Sequence, residues 1–264
     1  MTGDLLVAPL RDEIHVWTAE LDGVAEGRMA ESHALPPDEL DRAGRLRFER
    51  GRRHFVVAHS ALRHLLAGYL GIDPASLPLV SSSRGKPRLA TTASRWLCFN
   101  MSHSENLAVF VVGRDREVGV DVEHLREDFD IDALLHRVLT VGERRAVCEL
   151  APGSRRLAFY RFWVRKEACL KAMGDGLAVV PNELDVTGDY AKLVTLDEPV
   201  SSSGPCSTWS LHDTDLAPGY VAAIAVEGAL TTAPELRGSV AQVLRDARPK
   251  ASGPPTQRFE NGYA

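Results

Sequence analysis

Two acidic residues, Asp121 and Glu123, interrupt the β-branched run Val118-Gly119-Val120-Asp121-Val122-Glu123. In an extended strand, residues two apart share a face, so both carboxylates project together from a segment that otherwise favours burial. Like charges side by side on a half-buried strand repel and lose hydration, so they require a compensating cation. Hard oxygen donors at this spacing suit Mg²⁺, which takes one or two carboxylates and keeps its other positions for water and phosphate. An exposed edge strand with its acids toward water would carry the same letters, and the motif alone leaves both readings open.

A third acid and a lysine follow on a helix. Phe162–Met173 has no internal Gly or Pro and stops at Gly174. Trp163, Glu167 and Lys171 recur every four residues and form one stripe. On a solvated face the Glu–Lys pair would contribute only about 0.3–0.5 kcal/mol. Trp163 on the same stripe argues that this face turns inward, where an acid–lysine pair beside a metal suits phosphate handling. Upstream, Gly85-Lys86-Pro87-Arg88 is a turn presenting two cations. Leu97–Ser104 is a strand running into a polar tip, where Ser102, His103 and Ser104 can each donate to an anion. A serine nucleophile with His103 as its base is set aside, because strand neighbours point apart and no nucleophile elbow is present.

In order, Gly-Lys-Pro (85–87), Asn-x-Ser-His-Ser (100–104), Val-Gly-Val-Asp-x-Glu (118–123) and Phe-Trp-x-x-Lys-Glu-x-x-x-Lys (162–171) resemble the signature of the Sfp-type 4′-phosphopantetheinyl transferases. Leu139-Thr140-Val141-Gly142-Glu143 is similar to that family's Phe-Ser-x-x-Glu, with Leu-Thr in place of Phe-Ser. The resemblance spans roughly residues 35 to 225 and implies an α+β fold. In that fold, two similar α/β halves are related by a pseudo-twofold and the active site lies at their junction. Here the halves would be residues 1–115 and 116–230, the second carrying the metal site, with a disordered tail over 245–264.

The elements that must position these residues can be read along the chain. Glu13–Thr18 alternates like a strand, Pro36-Pro37 opens a helix, and Gly51–Leu70 carries an apolar helical stripe. Strands are expected around Leu97–Asn100, Leu107–Val112, Val118–Glu123, Leu193–Leu196, Ser207–Leu211 and Tyr220–Val226. Ile131–Leu139 and Gly142–Leu150 read as short helices and Arg156–Met173 as a long one. The 264 residues, 44% hydrophobic and 25% charged, can bury one large core or two modest ones. A net charge of −5 excludes a globally basic nucleic-acid binder, and no apolar run is long enough to span a bilayer. Cys98, Cys148, Cys169 and Cys206 lack metal-site spacing. The expected setting is cytoplasmic.

The resemblance implies an Mg²⁺-dependent transferase. It would move the 4′-phosphopantetheine arm of coenzyme A onto a serine of an apo acyl or peptidyl carrier protein and release adenosine 3′,5′-bisphosphate. Asp121, Glu123 and Glu167 would hold Mg²⁺. Lys86, Arg88, Ser102, His103 and Lys171 would receive coenzyme A, Lys171 offsetting charge on the leaving phosphate. Arg45 and Arg53, with His54, are the candidates for its 3′-phosphate and diphosphate end. Glu167 or Glu143 would be the base. The chain length fits the family's pseudo-dimeric monomer. Arg144, Arg145 and Arg165 are the cations available to an acidic carrier beside the Trp163–Lys171 helix. Two other classes stay open on these residues: a metal-dependent phosphodiester hydrolase, and a catalytically silent coenzyme A-binding module.

Overall fold

In the computed structural model, which describes residues 6–22, 34–81, 86–174, 180–187, 193–195 and 208–242, strand alternation sorts the apolar side chains into three cores. The chain runs β1 (His15–Glu20), α1 (Pro37–Gly44), α2 (Glu49–Leu70), β2 (Leu79–Ser81), β3 (Pro87–Leu89), β4 (Leu97–Ser104), β5 (Leu107–Arg114) and β6 (Val118–His124). It continues through α3 (Leu135–Val138), α4 (Val141–Glu149), α5 (Pro152–Met173), β7 (Leu193–Thr195), β8 (Thr208–Thr214), β9 (Tyr220–Glu227) and β10 (Glu235–Ser239). One sheet has the order β10-β1-β5-β4, the other β6-β9-β8-β7, and β2 pairs with β3 in a small ribbon. Only the β1–β10 pairing is parallel. The fold is α+β.

The period of two decides the layers. Trp17, Ala19, Phe99, Ala108, Phe110 and Val112 face α2, where Val57, Ala61, Leu62, Leu65 and Leu66 complete a core. From the other face of that sheet, Val16, Val109 and Val111 meet Val118, Val120, Val122, Ala222, Ile224 and Val226 of the second sheet. The far face of the second sheet, with Leu211, Val221, Ala223 and Ala225, packs on Val164, Ala168 and Ala172 of α5. The stack is therefore α2, sheet, sheet, α5. On β6 the odd positions Gly119, Asp121 and Glu123 lie on the α5 side, opposite the valines.

Gly119 sets how close α5 comes. A Cβ there would lie 2.1 Å from the Ala168 carbonyl oxygen and 2.5 Å from the Ala172 amide nitrogen. Backbone rests on backbone at this point, two residues from Asp121 and within a turn of Glu167 and Lys171.

The structure adjusts several expected bounds. The first long strand does not stop at a polar tip: β4 continues through Ser104, paired to Leu107 of β5. Proline at the first helical position starts α5 at Pro152 rather than Arg156. Helix α3 shrinks to Leu135–Val138, preceded by a turn in which the Asp130 carboxylate accepts from the Asp132 amide. Strand β10, which the sequence reading did not anticipate, is short, steps out of register with β1 at Arg237, and lies beyond residue 230. Gly85, Cys206 and the segment 245–264 lie outside the described residues. Among those described, no helix is long and apolar enough to cross a membrane.

Gly119→Ala should cost about 3 kcal/mol or more in urea unfolding, because neither backbone can yield without parting helix from strand. Gly51→Ala, at a helical position with nothing within 4 Å, should be neutral or stabilising. Equal small effects at both positions would show that the α5–β6 contact is not the tight one.

Candidate active site

The site begins with a buried charge. Asp121 is 4% exposed on the α5 side of β6. Its Oδ1 accepts from Lys171 Nζ at 2.5 Å and from Ser102 Oγ at 2.9 Å, and Ser102 Oγ accepts from Lys171 Nζ at 2.8 Å. The other oxygen, Oδ2, is buried without a hydrogen-bond partner. Strands β4 and β6 belong to different sheets, yet β4 reaches β6 through its side chains. Asn100 Oδ1 accepts from the Val120 amide at 3.0 Å. Ser104 Oγ donates to Glu123 Oε2 at 2.9 Å and accepts from the His124 amide at 3.1 Å.

The three acids share one electrostatic environment. Burial raises the pKa of Asp121, against the pull of Lys171 and Ser102. Glu123 is raised by burial and then by the charge of Asp121, and Glu167 likewise. Glu167 makes no hydrogen bond or ion pair among the described residues, although Lys171 one turn on lowers its pKa in part. Among the described residues no three His, Cys, Asp or Glu side chains are drawn together as a ready-made cation cage. The donor set nevertheless fits a hard dication. Three carboxylates face a single lysine, and a buried carboxylate oxygen stays orphaned, which water or protein would normally satisfy.

His103 stands on the opposite face of β4 from the serines, toward α2, and is exposed. Although the side chain keeps solvent access, the surrounding protein removes water from the ring and lowers its pKa, and the charges of His54, His59 and Lys171 add to this. Beyond it, Asp22 in the turn after β1 accepts from three residues of α2: His54 at 2.7 Å, Arg50 at 3.0 Å and Arg53 at 3.3 Å. The His54 bond first, then that of Arg50, hold the Asp22 carboxyl down to about 2. Arg45 caps the end of α1 and is exposed.

Other expected site residues stand elsewhere. Lys86 Nζ donates to Glu117 at 2.8 Å and to the Ala172 carbonyl at 3.0 Å, closing the end of α5, and Arg88 meets Glu117 at 3.2 Å. Neither joins the Asp121 cluster. Glu143 is fully buried, and both of its oxygens accept. Oε2 takes the Thr140 amide at 2.8 Å in a capping box and Lys166 Nζ at 2.7 Å, while Oε1 takes the Val186 amide at 2.9 Å. In this position Glu143, one of the two candidate bases, ties α4 to α5 and to the 180–187 segment. Arg165 grips Asp213 through two bonds of 2.6 Å, so it is not a cation reserved for a partner.

Asn100, Asp22 and Lys166 were missed as members of these networks. The Asn-x-Ser-x-Ser alternation was a signal for Asn100, since three small polar residues on one strand face need partners. Lys166 stood in the Phe-Trp-x-x-Lys-Glu motif without any sign of its partner, and Asp22 carried no signal, because both find partners distant in sequence.

Residues 117–225 match a family model described as the 4′-phosphopantetheinyl transferase superfamily, and residues 26–114 one described as 4′-phosphopantetheinyl transferase, N-terminal. The chain is 36% identical over 220 residues to the 4′-phosphopantetheinyl transferase HetI of Nostoc sp., covering 83% of this chain and 90% of that protein. It is 30% identical over 157 residues to the L-aminoadipate-semialdehyde dehydrogenase-phosphopantetheinyl transferase of Xenopus laevis, covering 55% and 51%. With the 4′-phosphopantetheinyl transferase AcpT of Salmonella typhimurium it shares 34% over 112 residues, 41% of this chain and 57% of that one.

Lys166→Met strands the Glu143 charge in the interior and should cost about 3–5 kcal/mol in urea unfolding. Glu143→Gln/Lys166→Met should recover much of that. A double variant as unstable as the single would mean the pair is not coupled. A second expectation concerns pH. Glu123 and Glu167 bind protons more tightly folded than unfolded, so stability falls as pH rises through their raised values. In chelator, Glu167→Gln should flatten the decline that sets in as pH rises above about 4.5. An unchanged slope in thermal unfolding would place the destabilising charge elsewhere.

Proposed function

The chain belongs to the 4′-phosphopantetheinyl transferase superfamily, and on that premise we propose how its residues carry the reaction. The enzyme transfers the 4′-phosphopantetheine group of coenzyme A to a serine of an apo carrier protein and releases adenosine 3′,5′-bisphosphate. The observation that carries the assignment of the site is the orphaned Oδ2 of buried Asp121, flanked by Glu123 and Glu167 and opposed only by Lys171. Asp121, Glu123 and Glu167 would hold Mg²⁺. When bound, the ion supplies positive charge to the diphosphate of coenzyme A.

Everything else falls to side chains of this chain. Glu167, with no hydrogen bond of its own and a raised pKa, takes the proton from the carrier serine. The serine oxygen then bonds to the β-phosphorus as the bridging P–O bond breaks. Lys171, held by Ser102 on the Asp121 side, offsets the negative charge that develops on the leaving phosphate. His103 and the basic end of α2, with Arg53 and His54, line the path toward the nucleotide. Because His103 is exposed and the Asp121 cluster half enclosed, the adenosine end lies toward α2 in this reading.

We also read residues 1–115 and 116–230 as the two related halves of the family fold. Support comes from two four-stranded sheets, each with a 22-residue helix on its outer face. The exception is β10, which comes from beyond residue 230 and completes the first sheet. A monomer suffices for this site, since β4, β6 and α5 of one chain supply all of its groups.

Mass spectrometry of an apo carrier incubated with enzyme, coenzyme A and Mg²⁺ should show the mass gain of one phosphopantetheine. Asp121→Asn and Glu167→Gln should each slow the gain by about 10²-fold or more. Release of free pantetheine phosphate without carrier modification would make the enzyme a hydrolase instead. Lys171→Ala should lower kcat more than it raises the coenzyme A KM. A KM effect alone would make it a ground-state ligand.

A further inference from the structure

The serines of β4 do something that the phosphate-binding assignments leave out. Ser104 Oγ accepts from the His124 amide at 3.1 Å, which fixes the direction of its own proton toward Glu123 Oε2 at 2.9 Å. Ser102 repeats the arrangement: its oxygen accepts from Lys171 Nζ at 2.8 Å, and its proton goes to Asp121 Oδ1 at 2.9 Å. Each acid therefore has one oxygen engaged by a β4 hydroxyl and one left over. Asp121 Oδ2 is buried without a hydrogen-bond partner, and the hydrogen bond of Glu123 among the described residues is made through Oε2, leaving Oε1 open. These two oxygens come from positions two apart on one strand face.

We propose that Ser104 is a positioning residue: it selects which oxygen Glu123 presents to the cation and holds that carboxylate in register with Asp121. The inference rests on the reading of Asp121, Glu123 and Glu167 as metal ligands, and goes beyond it by assigning a residue that touches neither metal nor substrate. Three features make Ser104 suited to this. It stands on a different sheet from Glu123, so it resists swinging of the long glutamate side chain from a fixed external point. Its oxygen is itself anchored to the backbone of β6 at His124, next to the residue it orients. Asn100 pins the same strand at Val120 with a 3.0 Å bond, so β4 and β6 cannot slide past one another without losing both contacts. A carboxylate that ligates a metal commonly needs such an outer hydrogen bond, and its removal typically lowers metal affinity about 10–100-fold.

The test is Mn²⁺ binding to the enzyme with coenzyme A, followed by electron paramagnetic resonance. Compared with wild type would be Ser104→Ala, Ser104→Thr, Glu123→Gln and Ser104→Ala/Glu123→Gln, with thermal unfolding of each. Ser104→Ala should weaken Mn²⁺ binding about tenfold or more, and Ser104→Thr, which keeps the hydroxyl, should restore most of it. In the Glu123→Gln background, Ser104→Ala should change affinity by less than about twofold, because its effect passes through Glu123. A merely structural Ser104 would lower Tm in Ser104→Ala while leaving Mn²⁺ affinity as in wild type, and that result overturns the inference. So does an equal loss in both backgrounds. If Glu123→Gln itself binds Mn²⁺ like wild type, the metal reading fails and takes this inference with it. If Glu123→Gln is impaired and Ser104→Ala is not, only the inference falls.

Discussion

Burying the carboxylate of Asp121 is the constraint from which the rest of the site follows. A charge at 4% exposure cannot stand unless compensated, since removing it from water costs far more than any single contact returns. Lys171 compensates one oxygen, and it can do so only because α5 lies directly on β6. That approach depends on Gly119, where any side chain would strike the helix backbone. Ser102 shares the same oxygen from a strand of the other sheet. At this cluster two sheets and one helix are forced together around an acid that none of them satisfies completely.

Charge elsewhere in the second half is handled differently. Glu143 and Lys166 are both buried, yet they meet at 2.7 Å and fill their remaining valences with backbone groups of Thr140, Val186, Pro181 and Leu184. That pair is closed, and it holds α4 and the 180–187 segment to α5. The Asp121 cluster is open, with more acids than lysines. Two consecutive residues of α5, Lys166 and Glu167, therefore serve opposite ends: one locks the helix in place and the next is left available for chemistry.

Much of this was legible in the sequence, for physical reasons. The period of two put Asp121 and Glu123 on one face, and the period of four put Trp163, Glu167 and Lys171 on one stripe, with Trp163 packing on Phe159 at 5.7 Å between ring centroids. What escaped reading depended on tertiary partners. The letters around Glu143 do not reveal its bonds to Lys166 and to the Val186 amide. Those around Lys86 do not reveal its contacts with Glu117 and the end of α5. Strand β10 was invisible because its five residues are mostly exposed and lack an apolar face to alternate.

The claim on which this account stands is that the orphaned oxygen of Asp121 receives a divalent cation that carries the diphosphate. Anomalous diffraction from crystals grown with coenzyme A and Mn²⁺ addresses it directly. A cation held there gives one strong peak in contact with Asp121 Oδ2, bounded by Glu123 and Glu167. Coenzyme A bound in the groove with no peak at Asp121, or with the ion held by other residues, would contradict it.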